Sequence, residues 1–357
     1  MPVSDLGHQR PVAERGCNCA DGLVDCDERR RDRVGAEHDS GSCRDGNPER
    51  GVPCAGLDSL NPWLAGAFSG GKPKLLFGRM YEDSSIEAAA FAPGSRVFAI
   101  AGAGCTARIL AAAGYRVTAV DINPVQLEYA RERVAGGPAR EGAAEKLLAF
   151  GRRVLSLAGS GGERLEAFLR LNDTREQVAY WDRHLESRRF RFSVDTMLSP
   201  LLLRMAYSSP FVRSLPGNFG EVVRRRMRRC WATHPNRSNP FARGLLVAEW
   251  PADAAAASPG IRFIHADAAE YLESCAPGSF DAFTLSNICD GAPRGYRKRL
   301  NSAVCRAASA GAMVVTRSFG EPTDDSNHDL AVRDRCFLWG VVDVRRVEKL
   351  ENHDARS

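Results

Sequence analysis

The sequence predicts an α/β fold: a doubly wound, mainly parallel sheet interrupted by a large helical insertion. Three observations carry this. Residues 96–124 read "RVFAIAGAGCTARILAAAGYRVTAVDINP", which is strand, Gly-rich turn, helix, strand and acid. Residues 261–350 return to short apolar strands alternating with helices. The interval 125–260 shows 3.6-residue periodicity throughout and no clear strand.

Taken in order, residues 1–57 are rich in Arg, Asp, Gly and Cys and have no apolar period, so they are expected to be a disordered tail. Five of the 11 cysteines fall there; Cys17, Cys19 and Cys26 with His38 match no familiar zinc spacing, and no metal is expected. Residues 58–124 are expected to supply N-terminal helices and the first half of the sheet. Order begins near Pro62. "NPWLAGAFS" and "PKLLFGRMYEDSSIEAAAF" carry apolar residues at helical spacing, and Asp83 or Ser84 can cap a helix running to Phe91. Val97–Ala101 reads as a buried parallel strand, Gly102-Ala-Gly104 as the turn, Ala107–Ala113 as a helix ended by Gly114, and Val117–Val120 as a strand tipped by Asp121.

The helical block 125–260 follows, far longer than an ordinary crossover, and is expected to cover the sheet edge as an acceptor site or lid. Residues 261–350 then complete the sheet. Ile261–His265 is a strand leading to Asp267, "AAEYLESC" a helix, and "SFDAFTLSNICDG" a strand ending near Ser286. "GYRKRLNSAVCRAASAG" is a helix stopped by Gly311, "AMVVTRSF" a strand, and "DRCFLWGVVDVRRVEKL" the last one or two strands. The order β-α-β, insertion, β-α-β-α-β-β is that of a Rossmann-like sheet.

Composition narrows the class. The 49 basic residues (5 Lys and 44 Arg) against 44 acidic leave a net charge of +5, too small for this length to argue for nucleic acid. No run of 18 apolar residues and no N-terminal h-region occur, so neither a membrane span nor a signal peptide is expected, and a cytoplasmic location follows.

The Gly turn lets a ligand approach the backbone, since Gly102 and Gly104 lack a Cβ. With Ala107 in the third glycine position, the motif alone fits either NAD or S-adenosylmethionine. Asp121, at the tip of the second strand, can accept both ribose hydroxyls of an adenosine. Asp267 ends the third strand, where adenine arrives in methyltransferase-like sheets. "FDAFTLSN" brings a fourth strand end beneath the ligand. Each acid alone can equally be a helix cap or surface charge; the three in order point to adenosine.

The stretches "GRMYEDSSIEAAAF", "VFAIAGAGCTARIL", "VTAVDINPVQLEYAR", "NPFARGLL", "FTLSNICDG" and "RDRCFLWGVV" together span residues 78–342. In them the chain resembles the S-adenosylmethionine:diacylglycerol 3-amino-3-carboxypropyltransferases, the aminocarboxypropyl-transferring half of betaine-lipid synthases. It departs from that family at Tyr81, where Trp is frequent, around Ala101–Thr106, and at Asp290-Gly291.

The resemblance implies transfer of a 3-amino-3-carboxypropyl group to a hydroxyl, that of diacylglycerol or another hydroxyl or amine acceptor, with release of methylthioadenosine. It implies that Tyr81, Glu82 and Asp83 border the site and that Ala101, Gly102, Gly104, Cys105, Asp121, Asn123, Gln126 and Ser286 hold the donor. Asp267 and Ala268 would surround the adenine. Asp290 would be the general base, its alternative being a turn residue before Gly291. Arg317 or Arg335 would pair with the donor carboxylate or serve an internal ion pair.

A betaine headgroup would also require a separate N-methyltransferase. "RRRMRR" (Arg224–Arg229) lies on a helix that either touches anionic lipid at the inner face of the membrane or is a solvated face. Two other readings stand beside this one: a plain S-adenosylmethionine-dependent methyltransferase on a small or lipid substrate, and a non-catalytic nucleotide-binding protein.

Overall fold

The computed structural model describes residues 73–251, 260–322 and 330–348. The tail 1–57 with its Cys/His set, and "NPWLAGAFS", lie outside the described residues.

Six strands form one sheet: β1 (Arg96–Ile100), β2 (Arg116–Asp121), β3 (Ile261–His265), β4 (Phe280–Thr284), β5 (Ala308–Ser318) and β6 (Val341–Arg346). Their spatial order is β3-β2-β1-β4-β5-β6. The first five are parallel, and β6 runs antiparallel to β5. Val97, Phe98 and Ala99 are each 0% exposed, so β1 is covered on both faces and must be apolar without alternation. The pleat divides its side chains. Phe98 packs with Leu272 of α12 (Ala268–Ser274) and Leu300 of α13 (Arg294–Ala307) on one face. Val97 and Ala99 pack with Leu110 of α2 (Cys105–Ala112) and Leu127 of α3 (Pro124–Val134) on the other.

Local chemistry explains where these elements begin. Helix α2 starts at Gly104, whose φ of +76° a side chain would strain. Helix α3 is capped by Asn123, whose side chain accepts from the N–H groups of Val125 and Gln126, with Pro124 in the first turn. Helix α1 is short (Ser85–Ala90), and Asp83 Oδ1 accepts from Ser85 N at 3.2 Å.

Two expectations are corrected. Residues 73–83 are not helical. Their N–H groups go to side chains across the chain instead: Leu76 and Phe77 to Gln126, Gly78 and Arg79 to Glu145. A Cβ on Gly78 would meet Arg140 O at 2.0 Å, so backbone lies directly on backbone there. Helix α13 also ends at Ala307, not Gly311. Gly311 lies within β5, where the register with β4 shifts. Among the described residues one strand, β6, follows β5.

After the crossover helix α3, the insertion builds α4 (Ala143–Leu157), α5 (Gly162–Leu169), α6 (Thr174–Tyr180), a π-helical turn (Trp181–Leu185), α7 (Arg188–Met197), α8 (Pro200–Ala206), α9 (Ser209–Ser214), α10 (Phe219–Thr233) and α11 (Pro240–Val247). It has its own aromatic core, with Phe168, Trp181, Phe190 and Trp231 in contact at 5.2–5.4 Å between ring centroids.

Helix α10 ties this block to the sheet. Arg226, 2% exposed, donates to the carbonyls of Phe319, Gly320 and Leu338. The rest of the basic run is engaged as well. Arg224 pairs with Glu186 and Asp195, Arg225 with Glu321 and Arg228 with Asp182, while Arg229 donates to Ala331 O and Trp339 O. Every arginine of the run thus has a partner within the chain as α10 packs against α6, α7 and the segment before β6; Arg226 is buried, while the ion pairs of Arg225 and Arg228 stay half-exposed on the solvated face that was the alternative reading. No helix among the described residues is long and apolar enough to cross a membrane.

Candidate active site

The chain order reverses between β1 and β4, and the crevice outside the carboxyl ends of the strands there is where such sheets take ligands. A cavity of about 270 Å³ occupies that place. All five parallel strand ends reach it: Gly102 after β1, Asp121 at the end of β2, Asp267 after β3, Ser286 after β4 and Phe319 after β5.

The glycine turn and the acid meet directly. Asp121 Oδ2 accepts from Gly102 N at 3.0 Å, and Oδ1 accepts from Asn123 N at 2.9 Å. Each oxygen keeps lone-pair capacity for a further donor such as a ribose hydroxyl. Loss of water around the carboxylate raises its pKa to about 6, against the two N–H groups that favour the charged form. Gly102 has φ +48°, and a Cβ there would lie 2.1 Å from Met80 Sδ. The glycine therefore admits the protein's own Met80, whose sulfur accepts from Ala103 N.

On the far side, Asp267 caps α12 through Glu270 N (3.0 Å) and accepts from Tyr296 Oη (2.8 Å). Cap and cavity wall are the same residue. Tyr296, which the sequence reading did not single out, also lines the cavity.

Glu82 is a buried carboxylate on the cavity wall. Ser286 Oγ makes a short hydrogen bond to Glu82 Oε1, and Thr106 Oγ1 donates to Oε2 at 3.4 Å. Burial raises its pKa, although Arg317, 3.8 Å away, opposes this. Ser286 sits at φ +53°, a conformation costly for a residue with a side chain, at the point where β4 delivers it to the cavity. Arg317 is fully buried among Glu87 (2.5 Å), Asp334 (3.0 Å) and Glu82, so it serves an internal ion network. Arg335 pairs with Asp83.

Of the residues expected at the site, Tyr81, Glu82, Gly102, Asp121, Asn123, Gln126, Asp267, Ala268 and Ser286 line the cavity. Asn123 and Gln126 do so as scaffold. Asn123 spends its amide on the α3 cap and Lys74 O, and Gln126 clamps Leu76, Phe77 and Gly102. Asp83, Ala101, Gly104, Cys105 and Asp290 are not among the lining residues. Cys105 Sγ instead accepts from Met80 N and Arg133. Asp290 folds back onto Ser318 Oγ (2.6 Å), Phe319 N (3.0 Å) and Asn287 Nδ2 (3.3 Å). It touches the cavity wall through Asn287 and Phe319, both of which line it.

The other wall comes from the insertion. Leu147 of α4, Val194 of α7, Leu203 of α8, Phe211 of α9, Val223 of α10 and Leu245 of α11 all face the cavity. The apolar wall carries one cation on its helices, Arg152 of α4, which makes no ion pair among the described residues. Burial lowers its pKa, opposed by Tyr81, Glu141 and Glu145. Its place one turn beyond Leu148 on an amphipathic helix gave no sign of this role. Tyr81 Oη donates to Glu145 Oε1 at 2.6 Å nearby.

The arrangement joins polar strand ends on one side to an apolar chamber on the other. Residues 100–155, which hold the end of β1, the glycine turn and Asp121, match the family described as a methyltransferase domain. A search of curated proteins found no match. The match indicates an S-adenosylmethionine-dependent, methyltransferase-like superfamily, and with it transfer from S-adenosylmethionine in general.

Proposed function

We propose that the chain transfers the 3-amino-3-carboxypropyl group of S-adenosylmethionine to the hydroxyl of an acyl-chain acceptor such as diacylglycerol. The observation that supports this best is a cavity whose sheet wall is polar and whose insertion wall is apolar. S-adenosylmethionine would supply a sulfonium-activated γ-carbon, with neutral methylthioadenosine as the departing product.

The rest is done by this chain. Asp121, held by the Gly102 N–H, accepts the ribose hydroxyls, and Asp267 with Ala268 borders the adenine. Arg152, whose guanidinium donates to Leu245 O at 3.4 Å and makes no ion pair among the described residues, is the cation for the donor carboxylate. Glu82, a buried carboxylate with a raised pKa held by Ser286, takes the acceptor proton. That role passes from Asp290, whose oxygens are enclosed by Ser318, Phe319 and Asn287. Asp290 positions Asn287 and the loop after β5. The insertion helices hold the acceptor hydroxyl in line and exclude water.

The family match at residues 100–155 favours a second reading, methyl transfer from the same seat. One experiment separates the two. The chain is incubated with diacylglycerol and donor labelled either at the methyl or at the carboxyl carbon. Carboxyl label in the lipid, with methylthioadenosine released, supports aminocarboxypropyl transfer. Methyl label in the lipid, with S-adenosylhomocysteine released, overturns it.

A further inference from the structure

The helices that cover the apolar side of the cavity have a second face. On α4 the cavity-facing residues Leu147, Gly151 and Leu155 alternate with an outward stripe of Lys146, Phe150, Arg153 and Leu157. On α7, Val194 and Met197 face inward, while Arg188, Arg189 and Phe192 are exposed. On α8, Leu203 faces inward and Leu201, Arg204 and Met205 outward. The three helices pack on one another.

The exposed apolar groups are large. Phe150 is 53% exposed, Phe192 74%, Leu201 75%, Met205 51% and Leu157 87%. Scattered single exposures mean little, but grouping on one cover does. The charges among them that have no ion-pair partner among the described residues are of one sign. Lys146, Arg153, Arg188, Arg189 and Arg204 make no ion pair among the described residues. The one acid on the outer side of α7, Asp195, is already paired with Arg224. This is the reverse of α10, whose arginines all have partners.

We infer that the outer face of α4, α7 and α8 docks on an anionic lipid bilayer. Apolar side chains enter the headgroup boundary while flanking cations meet the lipid charge, as for helices that lie in the interface. Charge complementarity selects this occupant. So does position, since the opposite face of the same three helices lines an apolar chamber. Docking concerns a surface away from the donor seat and needs no turnover to be seen.

The test is co-sedimentation of the full chain with phosphatidylcholine vesicles, with and without phosphatidylglycerol. Binding is expected only with the anionic lipid, and high salt should weaken it. The F150S/F192S/L201S/M205S variant and the R153Q/R188Q/R189Q/R204Q variant should each lose at least about tenfold in vesicle affinity. Both should keep wild-type thermal unfolding, since every substituted group is exposed. The R225Q/R228Q control, on α10, should bind as wild type. Equal binding to neutral vesicles, or undiminished binding by both surface variants, overturns the inference. So does a wild-type dimer in sedimentation that the same variants dissociate, which would assign the face to a second copy of the chain.

Discussion

The two walls of the cavity are built by opposite means. The sheet wall is made of strand ends whose polar groups are each held by a neighbour: Asp121 by Gly102 and Asn123, Glu82 by Ser286, Asp267 by Tyr296. The insertion wall is made of inward-facing side chains on six helices, with Arg152 as its one charged group among the described residues. The first wall can fix the orientation of a polar donor. The second can accept an apolar body with little demand on its exact shape. Substitutions on the two sides should accordingly separate donor affinity from acceptor use.

The largest expected effect lies behind the sheet wall. Arg317→Met would leave Glu87 and Asp334 buried without their counter-charge and cost about 3–5 kcal/mol of stability, read by urea unfolding. Next comes Asp121→Ala. Losing a charged acceptor for the ribose should weaken donor binding roughly 100-fold, read by calorimetry.

The same contact has a pH signature. Asp121 has its pKa raised to about 6, and only its charged form accepts two hydroxyl donors. As pH falls through that value, protonation competes with the ligand, so donor affinity should drop roughly tenfold from pH 7 to pH 5. A flat profile over that range would break the assignment. On the opposite wall, Leu147→Gln keeps the volume but places an amide in the chamber. It should raise the acceptor KM roughly tenfold and leave donor affinity unchanged. The smallest effect belongs to the exposed ion pairs of α10, where Arg225→Gln and Arg228→Gln should each shift stability by less than about 0.5 kcal/mol.

The sheet wall was legible in the sequence because its chemistry is local. A strand, two glycines and an acid at the next strand tip are readable from spacing, and Asp121 does meet Gly102. Asp290 was not, because its place depends on how the chain turns after Ser286, and that turn carries it back to Ser318 and Phe319. Residues 73–83 misled for a related reason. Their apolar spacing fits a helix, but Gln126 and Glu145 offer their N–H groups better partners at long range.

The insertion was readable as helices, since periodicity shows that one side is buried. Its length pointed to an acceptor site or lid at the sheet edge, but periodicity does not show which side chains face the cavity, and Arg152 could not be found that way. The basic run on α10 drew attention by its density. The exposed face of α4, α7 and α8 has its cations spread over three helices and drew none.

The account rests on an adenosine seat at Gly102 and Asp121. Its most direct measurement is calorimetric titration of S-adenosylmethionine into the wild-type chain and into Asp121→Ala. One saturable site in the wild type, weakened roughly 100-fold in the variant while Leu147→Gln binds normally, is the predicted result. Equal affinity in wild type and Asp121→Ala, or no binding by the wild type, would contradict it.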